Sequence, residues 1–122
     1  MDRQHFDTIS ESIREELVEI NRARDAAYQR SRRLTSICAR TIRAIHREEW
    51  SGSEELMAEA KAAAEEMISG VRAYPSLYHA GYTQDALKEY VEANLTYALV
   101  RGRRLPTPEE LGTENNTWLN GL

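Results

Sequence analysis

One cysteine, three prolines and six glycines are all that 122 residues contain of the types that staple, kink or loosen a chain. A lone cysteine, Cys38, excludes an internal disulfide and any cysteine-cluster metal site. It fits a reducing compartment, with the thiol serving as a small buried core residue. So little Pro and Gly excludes a fibrous or low-complexity chain. No apolar run follows a basic start in MDRQHFDTIS, and no uninterrupted apolar stretch approaches the ~20 residues that a bilayer span requires. The expected location is therefore cytoplasmic, with no membrane partner. Positive charge is short as well. Sixteen Lys and Arg against 20 Asp and Glu leave a net charge of -4, so the whole molecule does not attract phosphate, and any nucleic-acid surface must come from local segregation of charge. P-loops, dinucleotide-binding glycine patterns, zinc spacings and Ser/His/Asp or Cys/His arrangements are missing, which removes the enzyme classes built on them.

What is present is a soluble globular balance, 41% hydrophobic and 30% charged, on a length that fits one domain over residues 1–122. From about Asp2 to about Glu49 there is no Pro or Gly, and Phe6, Ile9, Ile13, Ile20, Ala27, Leu34, Cys38 and Ile45 recur with helical period. A helix of that length needs an oligomeric or supercoiled partner for its stripe. The residues Trp50 to Ser53 break it, and Ser51 with Glu54, or Ser53 itself, is placed to cap a second helix carrying Leu56, Ala60, Ala63, Ala64, Met67 and Val71. Pro75 ends that helix by about Ala73. After a Tyr- and Gly-rich loop, Thr83 is placed to cap a third helix with Leu87, Tyr90, Val91, Leu95 and Ala98 inward, which Gly102 ends near Arg101. LPTPEELG reads as a one-turn helix with Thr107 as N-cap, Pro108 first, Glu110 closing a capping box and Gly112 stopping it. Trp118, Leu119 and Leu122 open one more helix. No period-two alternation competes, so the expected fold is all-α, a long antiparallel helical bundle.

Three groupings of side chains carry possible chemistry. No acid lies between Asp25 and Glu48, and Arg33, Arg40, Arg43 and Arg47 fall on the helix face opposite Leu34, Cys38 and Ile45. Arginine forks bind phosphate through paired hydrogen bonds, so this stripe suits a nucleic-acid backbone. A solvated face of a long helix, partly neutralised by Glu59, Glu65 and Glu66, is the plainer account of the same pattern. Next, Asp85, Glu89 and Glu92 lie at i, i+4 and i+7 on one face, the arrangement by which carboxylates converge on magnesium or manganese. An ordinary amphipathic helix also puts acids there, with Lys88 placed to pair with Glu92, and one helix supplies too few ligands for a complete site. Last, Tyr74, Tyr78, His79 and Tyr82 precede that row. Their aromatics can stack on unpaired bases, with His79 donating to phosphate, or they can simply close over the core. His5 and His46 stand singly.

The segments YHAGYTQD, LKEYVEANLTYALV and LPTPEELG, together with SRRLT and RAIHRE in the first helix, resemble the translin family, most closely its archaeal members and translin-associated factor X, over about residues 10–122. The resemblance implies an all-α protein that assembles into a closed hollow homo-oligomer and binds single-stranded RNA or DNA on the inner surface. In the catalytic branch it also implies cleavage of RNA with a divalent ion. The Glu-Tyr-Val-Glu-Ala segment supplies two metal-binding glutamates there, matching Glu89 and Glu92 as catalytic and metal residues, and the first helix's arginines form nucleic-acid surface, matching Arg33, Arg40, Arg43 and Arg47. Asp85 is not the family's third ligand. That acid, usually an aspartate, comes from a further helix opened at Trp118–Leu122, and this chain ends before it, so the chain is expected to be the N-terminal portion of the family fold and to lack packing partners for its first helices. The expected function is single-stranded RNA binding with magnesium- or manganese-dependent endoribonuclease activity. A non-catalytic RNA- or DNA-binding module and a helical assembly subunit without nucleic-acid affinity are the alternatives.

Overall fold

The computed structural model describes residues 2–122, and its elements are all helices: α1 Arg3–His46, α2 Trp50–Val71, α3 Pro75–Tyr78, α4 Gly81–Val100, α5 Pro108–Leu111 and α6 Asn115–Gly121. α1 runs 44 residues, or about 66 Å at the usual rise. Its N-cap is Asp2, whose Oδ1 accepts the Gln4 N–H at 3.0 Å.

The first half of α1 touches almost nothing. Phe6, Ile9, Ile13, Leu17 and Val18 are each 45–55% exposed, and burial starts only at Ala27. From Ala27 onward the helix is the spine of the molecule. α2 packs antiparallel on it, with Arg30 crossing Gly70 to reach Glu66, and α4 returns parallel to α1, with Tyr28 beside Tyr82 and Cys38 beside Glu89 and Glu92. One core fills the space between the three: Leu34, Ile37 and Cys38 from α1, Ala60, Ala63, Ala64 and Met67 from α2, and Ala86, Leu87, Tyr90 and Ala93 from α4. The alanines allow the helix axes to approach closely, and Met67 and Leu87 fill what remains.

The helix ends differ from the sequence expectation in three places, each with a local cause. α1 stops at His46 because Glu48 adopts φ 60°, while the N–H of Glu49 reaches the Ala44 carbonyl and that of Glu48 the Ile45 carbonyl. This is the double bond of a Schellman stop with a glutamate in the position glycine usually takes. α2 therefore begins at Trp50, without a side-chain cap. Ser53 is fully buried and donates to the Trp50 carbonyl at 3.0 Å, so neither Ser51 nor Ser53 is the cap. Thr83 likewise is not a cap. α4 starts earlier, at Gly81, and the buried Thr83 hydroxyl donates to the Leu77 carbonyl at 2.7 Å, while Gln84 donates to the Tyr78 carbonyl at 2.7 Å. Both satisfy the orphan carbonyls of α3, a single turn that Pro75 initiates inside the stretch expected as loop.

The remaining stops follow expectation. Gly102 and Gly112 take φ 64° and 70° after α4 and α5, and Thr107 and Glu110 form the reciprocal capping box. Arg104 grips Glu110 with two bonds of 2.9 and 3.1 Å, which with the Thr107 backbone N–H holds the Glu110 carboxyl down at about 2. α6 is tied back to the bundle by Thr117 to Gln84 and by the Trp118 indole to the Pro106 carbonyl, both 3.0 Å. At its last residue, Gly121, an added Cβ would stand 2.7 Å from Val91 Cβ and 2.9 Å from the Lys88 carbonyl oxygen. Only a residue without a side chain lets α6 come so near the turn of α4 that carries Glu89 and Glu92.

Candidate metal and nucleic-acid site

Glu89 and Glu92 sit on the edge of α4 between its contact with α1 and its contact with α6. Every other Asp and Glu among the described residues is exposed, whereas these two are half-buried. Burial pushes the Glu89 carboxyl above its ordinary value, and the neighbouring Glu92 pushes in the same direction; Lys88 opposes them. Their field also reaches α1. The Cys38 thiol is raised to about 12, first by its own burial and then by Glu89 and Glu92. Two acids are thus held together, part-way out of water, with no arginine on them. Lys88 makes no ion pair with Glu92 among the described residues, contrary to the expectation from spacing.

Such a pair fits a divalent cation in one specific respect. Magnesium-like ions keep several waters and are usually held by one or two carboxylates, and mutual repulsion between two half-desolvated acids is what a cation between them relieves. Asp85 stands on the same face but is exposed, and no grouping of three or more His, Cys, Asp or Glu able to hold a metal occurs among the described residues. The pair supplies part of a coordination sphere, not all of it.

The four arginines do not form one surface. Arg33 leans toward α2 and pairs with Glu66 at 3.5 Å, as Arg30 does. Arg40, Arg43 and Arg47 are exposed and make no ion pair among the described residues. Arg43 continues the α1 line through Arg32, Ser36 and Ala39 at helical spacing, and those three residues line the seam with α4 at Asp85. Arg32, without an ion pair among the described residues, thus borders the seam at Asp85 from the α1 side.

His79 lies elsewhere. It is exposed, stacks edge-on against Tyr78 at 5.0 Å, and borders a cleft of about 270 Å³ with Arg72 and Glu114, to which α1 contributes nothing. The nearby tyrosines serve packing. Tyr74 donates to Glu19 at 3.4 Å, Tyr78 is partly buried against the core, and Tyr82 meets Tyr28 edge to face at 5.5 Å.

Two features escaped the sequence reading. One is the groove between Tyr28 and Asp85, for which the i, i+4 spacing of Tyr28 and Arg32 was the available signal. The other closes the far end of the bundle, where the Arg101 guanidinium stacks 4.5 Å from the Trp50 ring and the Tyr97 hydroxyl donates to Glu54 at 2.6 Å. Nothing in the sequence links Trp50 to Arg101, because only the packing of α2 against α4 brings them together.

These observations define a class: an all-α protein built on a helix much longer than its own core, with two half-buried acids on the third long helix and exposed arginines without ion pairs on the first. The crystal structure of apo-NeC3PO is similar in fold, with a TM-score of 0.84 and 26% sequence identity over 91% of the present chain. The translin-family relation read from the Glu-Tyr-Val-Glu-Ala segment is thus carried by the fold as well. The chain spans 59% of the length of that structure's chain. No protein-family model and no curated protein sequence matches it. No helix among the described residues is long and apolar enough to cross a membrane.

Proposed function

We propose that this chain is a translin-like protein that binds single-stranded RNA and takes part in its cleavage with magnesium or manganese. The observation that carries the reading is the half-burial of Glu89 and Glu92 alone among the chain's acids. A solvated acidic face has no reason to draw two like charges out of water side by side, where burial and Glu92 raise the cost of ionising Glu89. An ion bound by the pair would polarise a phosphodiester and supply an activated water. Arg40, Arg43 and Arg47 bind the phosphates and offset the repulsion between the acids and an anionic strand, and Arg33 does so once it leaves Glu66. The rest of the coordination sphere is water or comes from another copy of the chain.

Another copy is part of the proposal. The apolar stripe Phe6, Ile9, Ile13 and Leu17 extends beyond the bundle with nothing on it, and burying it against an equivalent surface is the ordinary remedy. Homo-oligomer formation then brings several arginine faces around one strand.

The test is retention and cleavage of a short labelled single-stranded RNA, with manganese or magnesium against chelator, alongside the protein's mass in solution. Glu89→Gln with Glu92→Gln is expected to abolish cutting and leave retention nearly intact, and equal loss of both refutes the division of roles. A second reading, binding without catalysis, draws on the absence of a third ligand among the described residues. It expects affinity that ignores chelation and falls with salt at a log–log slope of roughly -2 to -3, as three or four phosphate contacts on a single strand give.

A further inference from the structure

We propose that the groove between α1 and α4, one helical turn before Glu89, is a base-binding subsite that prefers bases carrying an exocyclic amino group. The inference rests on the RNA-binding reading above and adds to it a place where sequence is read.

The groove holds about 430 Å³, within the ~300–1,000 Å³ that small-molecule sites span. Its walls differ in chemistry. On one side stands Tyr28, a large aromatic left 43% exposed, with Tyr82 edge to face against it at 90° and lining the same groove. The Arg32 guanidinium lies 5.8 Å from the centre of the Tyr28 ring, and its Nη1 is 3.5 Å from the Tyr28 hydroxyl. The floor is made by the small side chains of Thr35, Ser36 and Ala39, which leave room for a flat ring. Opposite is the exposed carboxylate of Asp85.

Arg32 and Asp85 border one opening and make no ion pair. A simple anion would gain from Arg32 and be repelled by Asp85, and a simple cation would meet the reverse. A neutral ring attached to a phosphate satisfies both: the phosphate pairs with Arg32, the ring lies against Tyr28 and the guanidinium plane, and Asp85 meets the ring's polar edge. An ionised carboxylate only accepts hydrogen bonds, so that edge must donate. The 4-amino group of cytosine does so from the outer end of that edge, where uracil has a carbonyl oxygen and offers only the recessed N3–H beside it. The groove also lies at a useful distance from the acids. Asp85 precedes Glu89 by one turn on the same face, about 6 Å along the helix, a reach that one nucleotide spans. A strand following the α1–α4 seam would seat a base here and bring a neighbouring phosphate over Glu89 and Glu92.

The experiment compares short oligocytidylate and oligouridylate of equal length, labelled at one end, by fluorescence anisotropy with chelator present so that neither metal nor cleavage contributes. The wild-type protein is expected to bind the cytidylate about five-fold or more tighter. Asp85→Asn is expected to bring the ratio to about two-fold or below with an unchanged Tm, and Tyr28→Ala to weaken both ligands. Arg40→Ala with Arg43→Ala should weaken both equally and keep the ratio. Equal wild-type affinities, or a ratio that Asp85→Asn leaves unchanged, overturn the subsite and spare the RNA-binding reading. Binding of neither ligand at low salt overturns both.

Discussion

Gly121→Ala tests how closely α6 must lie on α4. The new methyl would meet Val91 Cβ and Cγ1 at 2.7 Å and the Lys88 carbonyl oxygen at 2.9 Å. Val91 is fully buried and the carbonyl belongs to the α4 backbone, so neither can retreat, and the helix that moves has to be α6. Overpacking of this kind costs about 1–3 kcal/mol. Alanine's advantage over glycine inside a helix is at most about 1 kcal/mol, and less at the final residue of α6, so the clash wins. What holds α6 is modest: the Thr117 and Trp118 hydrogen bonds at about 1 kcal/mol each, plus burial of Thr117 and part of Trp118. A penalty of that size is met by local undocking and leaves the α1–α2–α4 core folded.

The assay is amide hydrogen exchange followed by mass spectrometry on the peptide covering residues 113–122. Protection there should fall by about 5- to 150-fold, the range to which 1–3 kcal/mol converts, while peptides from α1 and α2 exchange as in the wild type. Wild-type protection across 113–122 would refute the reasoning, and a uniform fall over the whole chain would refute the view that α6 opens separately.

Glu48→Gly replaces a glutamate held at φ 60° by the residue that tolerates it and should stabilise the fold by about 0.5–1 kcal/mol, read as a higher urea midpoint with unchanged slope. Thr83→Val removes a buried 2.7 Å bond and leaves the Leu77 carbonyl with only the 3.3 Å bond from the Ala80 N–H, at a cost of about 0.5–1.5 kcal/mol by the same titration. Glu89 gives up its proton less readily in the folded than in the unfolded chain, so its ionisation subtracts stability as pH rises from the ordinary carboxylate value through the raised one. Glu92→Gln should therefore raise Tm at neutral pH in chelator and lessen that fall. Cys38, buried and raised to about 12, should resist alkylation at neutral pH in the native protein and react once it is unfolded.

The long-period features were legible in the sequence because they depend on pattern alone. The α1 stripe, the alanine face of α2, the capping box at Thr107 and the stops at Gly102 and Gly112 each follow from residues within a turn or two of one another. The misjudged ends are those where tertiary packing reassigned a local signal. Ser53 and Thr83 have the chemistry of N-caps, yet both are drawn inside and give their hydroxyls to carbonyls, at Trp50 and at Leu77. Glu48 occupies a glycine's conformation, so the α1 stop carried no glycine to mark it. The arginine stripe was legible as a face, and so was its partial neutralisation by α2 acids including Glu66, but that Glu66 takes Arg33 and leaves Arg40, Arg43 and Arg47 unpaired was not, because only packing sets which residues meet.

The same distinction separates the two acidic rows of the molecule. Glu55, Glu59 and Glu66 of α2 repeat at helical spacing much as Asp85, Glu89 and Glu92 do on α4, and apart from the family resemblance at Glu89 and Glu92 the spacing offers no ground for treating them differently. In the fold, the α2 acids stay in water or meet Arg30 and Arg33, whereas Glu89 and Glu92 are drawn half-way into the seam above Cys38. Holding like charges there lowers the stability of the free chain, and the charge of Lys88 offsets it only in part, while no arginine pairs with either acid among the described residues. A pair that destabilises alone is stabilised by any cation that bridges it. Manganese should therefore raise the wild-type Tm and leave that of the Glu89→Gln, Glu92→Gln variant unmoved. A wild-type Tm indifferent to manganese would return the α4 row to the status of the α2 row.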